Sequence, residues 1–315
     1  MRIIITGATG FLGKALCEEL TEKGHEVTAI VRPESAEKAK DLEVSRVIEL
    51  PLEELETLTR WEDTREPEGP DSKKLSKKRP GEPPKEYDVF FHLAWNGSGG
   101  EARNDYGVQL RNLRYMEKAL KAAKGCGCKK FIGAGSQAEY GVVHGKAAED
   151  TTVPNPFMMY GAAKLACLHM GRVLAEQLGI TFVWPRIYSV YGPRKNDPTL
   201  LGYVAQSLRE GKTPELSACE NMWDFMYITD FTRAMRLLAE KREAEGVYHV
   251  ASGDARKLRE FVELERDAIK PGAELKFGAR KADEKRTFWL EPDIGRLKGL
   301  GFRCGVPFKQ GIQSL

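Results

Sequence analysis

An α/β fold on a doubly wound parallel sheet follows from three observations in the 315-residue chain. The first is a β-branched run, Arg2–Thr6, that passes directly into a glycine-rich turn, Gly7-Ala-Thr-Gly10-Phe-Leu-Gly13. The second is the segment after that turn. Ala15, Leu16 and Leu20 are spaced as one face of a helix over Lys14–Lys23, Gly24 stops it, and a second apolar run occupies Glu26–Val31. A strand, a helix and a strand in that order form a crossover unit whose two strands are parallel. The third is that the rhythm continues. Buried-strand runs recur at Arg46–Leu50, Asp88–Leu93, Lys130–Ala134, Thr181–Pro185 and Val247–Ala251. Helical patterns occupy Gln109–Lys124, Tyr160–Leu178, Thr199–Glu210, Phe231–Lys241 and Leu258–Ala268.

One stretch breaks the rhythm. Residues 61–86 hold five prolines and a Lys-Lys-Leu-Ser-Lys-Lys-Arg run without apolar periodicity, and read as a surface insertion between the third and fourth strands. Lys73–Arg79 reads as a solvated loop, because neighbouring acids balance it. Residues 1–185 are expected to form the nucleotide-binding domain and 186–315 mostly a substrate-binding portion. The strand near 247–251 and its adjoining helix are expected to return to the main sheet.

Composition narrows the function. Forty-nine basic residues against 46 acidic give a net charge of +3, which leaves no electrostatic footprint for nucleic acid. No apolar run approaches the roughly 20 residues of a membrane span, and the N-terminus lacks the pattern of a signal peptide. Six cysteines include one close pair, Cys126 and Cys128. Two ligands do not make a structural zinc site, so no metal is expected and the usage fits a reducing, cytoplasmic compartment.

The glycine turn carries the first chemistry. Gly7 permits the tight turn, Gly10 lets backbone N–H groups approach a pyrophosphate, and Gly13 lets helix and strand pack closely. The strand–turn–helix context makes this a Rossmann-type dinucleotide site, with Thr9, Phe11 and Leu12 completing the cradle. Arg32, at the end of the second strand, stands where a carboxylate would bind ribose hydroxyls. Its guanidinium suits a 2′-phosphate, so NADP is expected over NAD, with Glu34 reaching the ribose as the alternative. The second signal is Tyr160-Gly-Ala-Ala-Lys164, two side chains on one helix face, where the ammonium is expected to lower the phenol pKa. Ser136, just after the Lys130–Ala134 strand, is placed to polarise a substrate oxygen. Trp95 is expected to line the pocket. His169 is expected to be packed, and His144 is weighed as a loop residue bordering the substrate.

These residues resemble the extended short-chain dehydrogenase/reductase superfamily, the NAD-dependent epimerase/dehydratase group, from Thr6 to about Gly311. Thr6–Gly13 is similar to the family fingerprint, and His92-Leu93-Ala94 to its fourth-strand segment beside the cofactor. Gly135–Gly141 resembles its Ser/Thr loop, Arg186–Pro193 the stretch leading to the substrate, and Asp224–Asp230 a substrate-side signature. The resemblance implies that Ser136, Tyr160, Lys164 and Asn112 form the catalytic set. It also implies that Leu93, Ala94 and Ile187 join the cofactor contacts. Gln137, Ser189, Arg194, Trp223 and Arg280 fall at substrate positions. It implies a nucleotide-sugar substrate, hydride exchange at a ring carbon, and a homodimer. Departures narrow the reaction. Gln137-Ala138 replaces the Asp-Glu pair of 4,6-dehydratases, which removes the acid and base of water elimination. Glu139 is one residue late. Ser189 stands for a diphosphate-binding Asn and Trp223 for an Arg. An epimerase is expected, with an NADPH-dependent 4-keto-sugar-nucleotide reductase, and then a non-catalytic NAD(P)-sensing protein, as alternatives.

Overall fold

A computed structural model describes residues 1–58, 86–194, 197–281 and 289–315. The chain begins β1 (Arg2–Thr6), α1 (Phe11–Glu22), β2 (Glu26–Val31), α2 (Ala36–Ala39), β3 (Arg46–Glu49). It continues β4 (Val89–His92), α3 (Tyr106–Gly125), β5 (Lys130–Gly133), β6 (Gly135–Ser136), β7 (Lys146–Ala147), α4 (Met159–Leu178) and β8 (Thr181–Ile187). Then come β9 (Ser189–Tyr191), α5 (Leu200–Arg209), β10 (Met222–Trp223), β11 (Phe225–Tyr227), α6 (Ile228–Glu240), β12 (Gly246–Val250), β13 (Arg256–Lys257) and α7 (Leu258–Ile269). The insertion expected over 61–86 lies, but for Glu86, outside the described residues.

The main sheet has the order β3-β2-β1-β4-β5-β8-β12, with β6 beside β8, and every pair in it is parallel. The chain winds outward from β1 to β3, returns to β4 on the other side of β1, and winds outward again to β12. The direction reverses between β1 and β4, and a crevice opens at the strand ends there. Both faces are covered. Leu16, Cys17 and Leu20 of α1 pack with Phe231, Met235 and Leu238 of α6 on one face. Met116, Ala119 and Leu120 of α3 pack with Cys167, Leu168 and Ala175 of α4 on the other. A sheet buried on both sides needs strands that are apolar throughout, which is why β1 and β4 read as continuous runs rather than alternating ones. A separate cluster forms beyond β9, where Leu201, Val204 and Leu208 of α5 meet Phe261 and Val262 of α7. β12 belongs to the main sheet, although the chain before it contributes to that outer cluster.

Candidate active site

The crevice at the strand ends is a cleft of about 610 Å³. At one end lies the glycine turn. Gly7 has φ +75°, and a Cβ there would meet Ala94 N at 2.7 Å, while one on Gly13 would meet Gly7 O at 2.2 Å. Those two glycines are required by the protein's own packing. Gly10 is not: its φ of −80° suits any residue, and a Cβ would meet nothing nearer than Gly7 O at 3.4 Å. The open side of Gly10 is the space a pyrophosphate needs. The first turn of α1 has no side-chain cap and no acidic residue, so its free N–H groups face that space. These residues fit a dinucleotide. All twelve expected cofactor contacts line the cleft: Gly7, Thr9, Gly10, Phe11, Leu12, Gly13, Arg32, Leu93, Ala94, Tyr160, Lys164 and Ile187.

At the other end, Ser136, Tyr160 and Lys164 meet. Ser136 sits at the end of β6, and its backbone N–H donates to Glu139 Oε1 at 2.8 Å. Its hydroxyl accepts from Ala138 N at 3.2 Å and lies near enough to the Tyr160 phenol to lower the phenol's pKa. Lys164 is 2% exposed and donates to Ala134 O at 2.6 Å, with Nζ 3.4 Å from the Trp95 ring centroid. Burial pushes its pKa down to about 7. Trp95 meets the Tyr160 ring edge-on, with centroids 5.8 Å apart.

The phenol is not set as the sequence implied. Burial raises the Tyr160 pKa, opposed by the Ser136 hydroxyl and then by the charge of Arg103. Some of the Tyr160 surface stays open to the cleft, which limits the penalty of burial. The Lys164 charge is spent on a carbonyl and an indole face. Arg103, which sequence reasoning missed, has its guanidinium carbon 4.6 Å from the Tyr160 ring centroid. Also missed were Ser35 and Lys38, which line the cleft beside Arg32. Glu34 pairs with Arg32 at 3.2 Å and does not line it.

Asn112 lies outside the cleft lining. It is 1% exposed and makes a reciprocal pair with the Asn96 backbone, accepting from N and donating to O, both at 2.9 Å. Gln109, one turn earlier, accepts from Trp95 Nε1 at 3.0 Å and donates to Gly97 O and Ala102 O at 2.8 Å. Both α3 amides thus hold the loop that carries Trp95 and Arg103.

Of the expected substrate residues, Trp95, Gln137 and Arg194 line the cleft, and Arg194 lies 5.2 Å from the Phe11 ring centroid. Ser189, Trp223 and Arg280 do not line it. Ser189 is held in β9, Trp223 packs between two apolar clusters, and Arg280 donates to Tyr203 OH at 3.1 Å. His169, expected to be packed, is exposed on α4, and His144 is exposed away from the cleft.

Glu139 is fully buried. It accepts from Trp184 Nε1 at 2.9 Å and from Arg186 Nε at 2.8 Å. Arg186 donates to Tyr140 OH at 2.6 Å, so that hydroxyl donates onward to His249 Nε2, also at 2.6 Å. His249 is then neutral with its proton on Nδ1, donating to Asp293 O at 2.8 Å, and burial lowers its pKa to about 4. The signature Asp224–Asp230 is also internal. Asp224 accepts from Ser252 N and Gly253 N at 2.8 Å, and Asp230 from Gly305 N and Val306 N.

A model of the family described as NAD dependent epimerase/dehydratase matches residues 3–69 and 82–251. The chain belongs to that family. The match passes over residues 70–81, inside the insertion expected from composition. An uncharacterized UDP-glucose epimerase of Bacillus subtilis is 27% identical over 308 residues, covering 95% of this chain and 92% of that protein. A UDP-N-acetylglucosamine 4-epimerase from Methanobrevibacter ruminantium M1, solved with UDP-N-acetylmuramic acid, superposes with a TM-score of 0.81 at 22% identity, covering 99% of this chain and 96% of that one. A UDP-glucuronic acid 4-epimerase from Bacillus cereus, solved with UDP-glucuronic acid and NAD, has a TM-score of 0.79 at 21% identity, covering 100% and 97%. This chain shares its Rossmann fold with both solved structures.

Proposed function

We propose that this family member is a nucleotide-sugar epimerase that works by hydride exchange at a ring carbon, with Tyr160 as the proton-exchanging group. The observation that carries the reading is one cleft with the glycine turn at one end and Ser136, Tyr160 and Lys164 at the other. A bound nicotinamide dinucleotide supplies the hydride acceptor and donor. The chain's own residues do the rest. The α1 N-terminus binds phosphate, Ser136 orients the substrate oxygen, and Tyr160 takes up and returns its proton. Lys164 would hold the nicotinamide ribose. Gln137 and Ala138 offer no carboxyl group, and Glu139 is committed to Arg186, so water elimination has no acid or base here. A chain with these residues works in the cytoplasm on a small-molecule substrate.

The test is to incubate the protein with nucleotide hexoses and 4-keto sugars while following reduced cofactor and product stereochemistry. An epimerase interconverts two sugars without net change in cofactor and forms no 4-keto-6-deoxy product. Absence of turnover on every sugar sinks the reading. One observation favours the reductase as second reading. Arg32, Lys38 and Ser35 line the cleft where β2 ends, two cations and a hydroxyl suited to a 2′-phosphate. NADP(H) is expected to bind more tightly than NAD(H), and Arg32→Ala to narrow the gap about tenfold. Equal affinities in the unaltered protein would remove this preference, and with it the ground for a reductase.

A further inference from the structure

Among the described residues, the charge of Arg103 meets only the face of the Tyr160 ring, 4.6 Å from its guanidinium carbon. Among the described residues no carboxylate pairs with it, and its Nε is buried with no acceptor. A guanidinium has five donors in a planar fork, and leaving a buried one unmet is costly unless something else meets it. The backbone that carries it is fixed on both sides. Gln109 of α3 bonds to Ala102 O at 2.8 Å, and the Asn104 side chain accepts from Met159 N, the first residue of α4, at 3.3 Å. An exposed arginine on a loose loop would need no such bracing.

The other cations of the cleft stand elsewhere. Arg32 and Lys38 are at the end of β2, Arg194 lies 5.2 Å from the Phe11 ring beside the glycine turn, and Lys164 is held by Ala134 O and the Trp95 ring. The cofactor's pyrophosphate belongs at Gly10, the opposite end from Tyr160. Arg103 lies beside the Tyr160 ring, where the reacting sugar must sit if the proposed function holds, and this inference rests on that reading. We propose that Arg103 binds a carboxylate carried by the sugar ring, so that the chain selects acidic nucleotide sugars over neutral ones. A fork of parallel N–H groups matches a carboxylate's two oxygens, whereas a hydroxymethyl group in the same place leaves the guanidinium's charge unmatched.

The experiment uses pairs of sugars that differ only in a carboxylate for a hydroxymethyl group: UDP-glucuronate against UDP-glucose, and GDP-mannuronate against GDP-mannose. Binding is measured by calorimetry on the cofactor-loaded protein, beside turnover. The acid of one pair is expected to bind at least about tenfold more tightly than its neutral partner. Arg103→Met is expected to weaken the acid about 10- to 100-fold and erase the preference, and Arg103→Lys to keep part of it. Binding of none of the four sugars, or binding without preference, overturns the inference. So does equal weakening of acid and neutral sugar in Arg103→Met, which would assign the arginine to the diphosphate they share. A preserved preference with turnover of both lowered and its pH profile moved overturns it as well, since Arg103 would then act through Tyr160. Hydride exchange on a neutral sugar without acid preference defeats this inference alone. Arg103-dependent binding of the acid without hydride exchange on any sugar defeats the proposed function alone.

Discussion

Tyr160 and Lys164 share one face of α4, yet the ammonium does little to the phenol. Nζ lies 5.6 Å from the Tyr160 ring centroid but 3.4 Å from that of Trp95, and its donor is taken by Ala134 O. The groups that oppose the burial of Tyr160 are Ser136 and Arg103. Removing the phenol oxygen therefore tests the proton route without disturbing the cation. Tyr160→Phe keeps the ring against Trp95, so fold and cofactor affinity should survive. Turnover is expected to fall about 10²–10⁴-fold, the usual worth of general acid–base catalysis, with much less change in KM. Steady-state kinetics on whichever sugar the protein accepts checks this. Near-unaltered turnover would remove Tyr160 from the mechanism. The glycine turn and the shared helix face of Tyr160 and Lys164 were legible in the sequence because both are local, fixed by a few consecutive residues; the pKa relation expected of the pair was not, since Lys164 turns to Ala134 O and Trp95. Arg103, Ser35 and Lys38 were not. Each takes its place in the cleft from the path of the chain across the crevice, and nothing in the adjoining residues announces that path.

At the scale of elements, strand positions follow the sequence closely, since a strand buried on both faces is a continuous apolar run. Helix starts follow within one residue for α4, α5 and α7, whereas α1, α3 and α6 each begin three residues early. α3 begins three residues before the expected Gln109 because Asp105 caps it, accepting from Val108 N at 2.8 Å, ahead of the first apolar repeat. Some buried charges explain themselves only in three dimensions. Lys130 opens β5, 7% exposed, and donates to Leu238 O at 3.0 Å and Lys241 O at 2.5 Å, closing the C-terminal end of α6. Glu265 of α7 has no such purpose in view. It is fully buried, neither oxygen has a hydrogen-bond partner among the described residues, and burial pushes its pKa up to about 9, with Asp197 adding to the shift and Arg209 opposing it. The folded chain therefore holds this proton between about pH 4.5 and 9, while the unfolded chain has released it. The resulting stabilisation is complete below about 4.5 and is lost as the pH rises through about 9. Glu265→Gln keeps the shape and cannot ionise. Denaturant titrations are expected to find the two proteins alike near about pH 5, and the variant more stable by about 1 kcal/mol or more near about pH 8. Parallel pH profiles would show that Glu265 is already satisfied in the folded chain.

The whole molecule turns on α4, whose two faces have different work. Tyr160, Lys164, Cys167 and Gly171 fall within a narrow arc at about 100° per residue, and that arc faces the sheet and the cleft. Met159, Met170 and Val173 fall on the arc beside it, roughly 90–150° round the helix, and are exposed, Met170 by 63% and Val173 by 52%. On the neighbouring α3, Tyr106 and Leu110 are one turn apart and also exposed. Single exposed apolar side chains are ordinary, but five on two adjacent helices of 20 residues each call for a cover. We propose that a second copy of the chain provides it. Two such pairs related by a two-fold axis would pack as four helices, each set of apolar side chains meeting its own image. Such a dimer also fixes α4 from that side, holding Tyr160 and Lys164 in register with the cleft. Sedimentation equilibrium at micromolar concentration is expected to give twice the chain mass. Replacing Met170 and Val173 together by arginine should return it to the chain mass, since two desolvated cations would face their own copies across the axis. The same variant should melt at a lower temperature and still bind the dinucleotide, because neither residue reaches the cleft. A monomer in the unaltered protein would leave these side chains without this partner, and the register of α4 would then depend on its packing against α3 and the sheet alone.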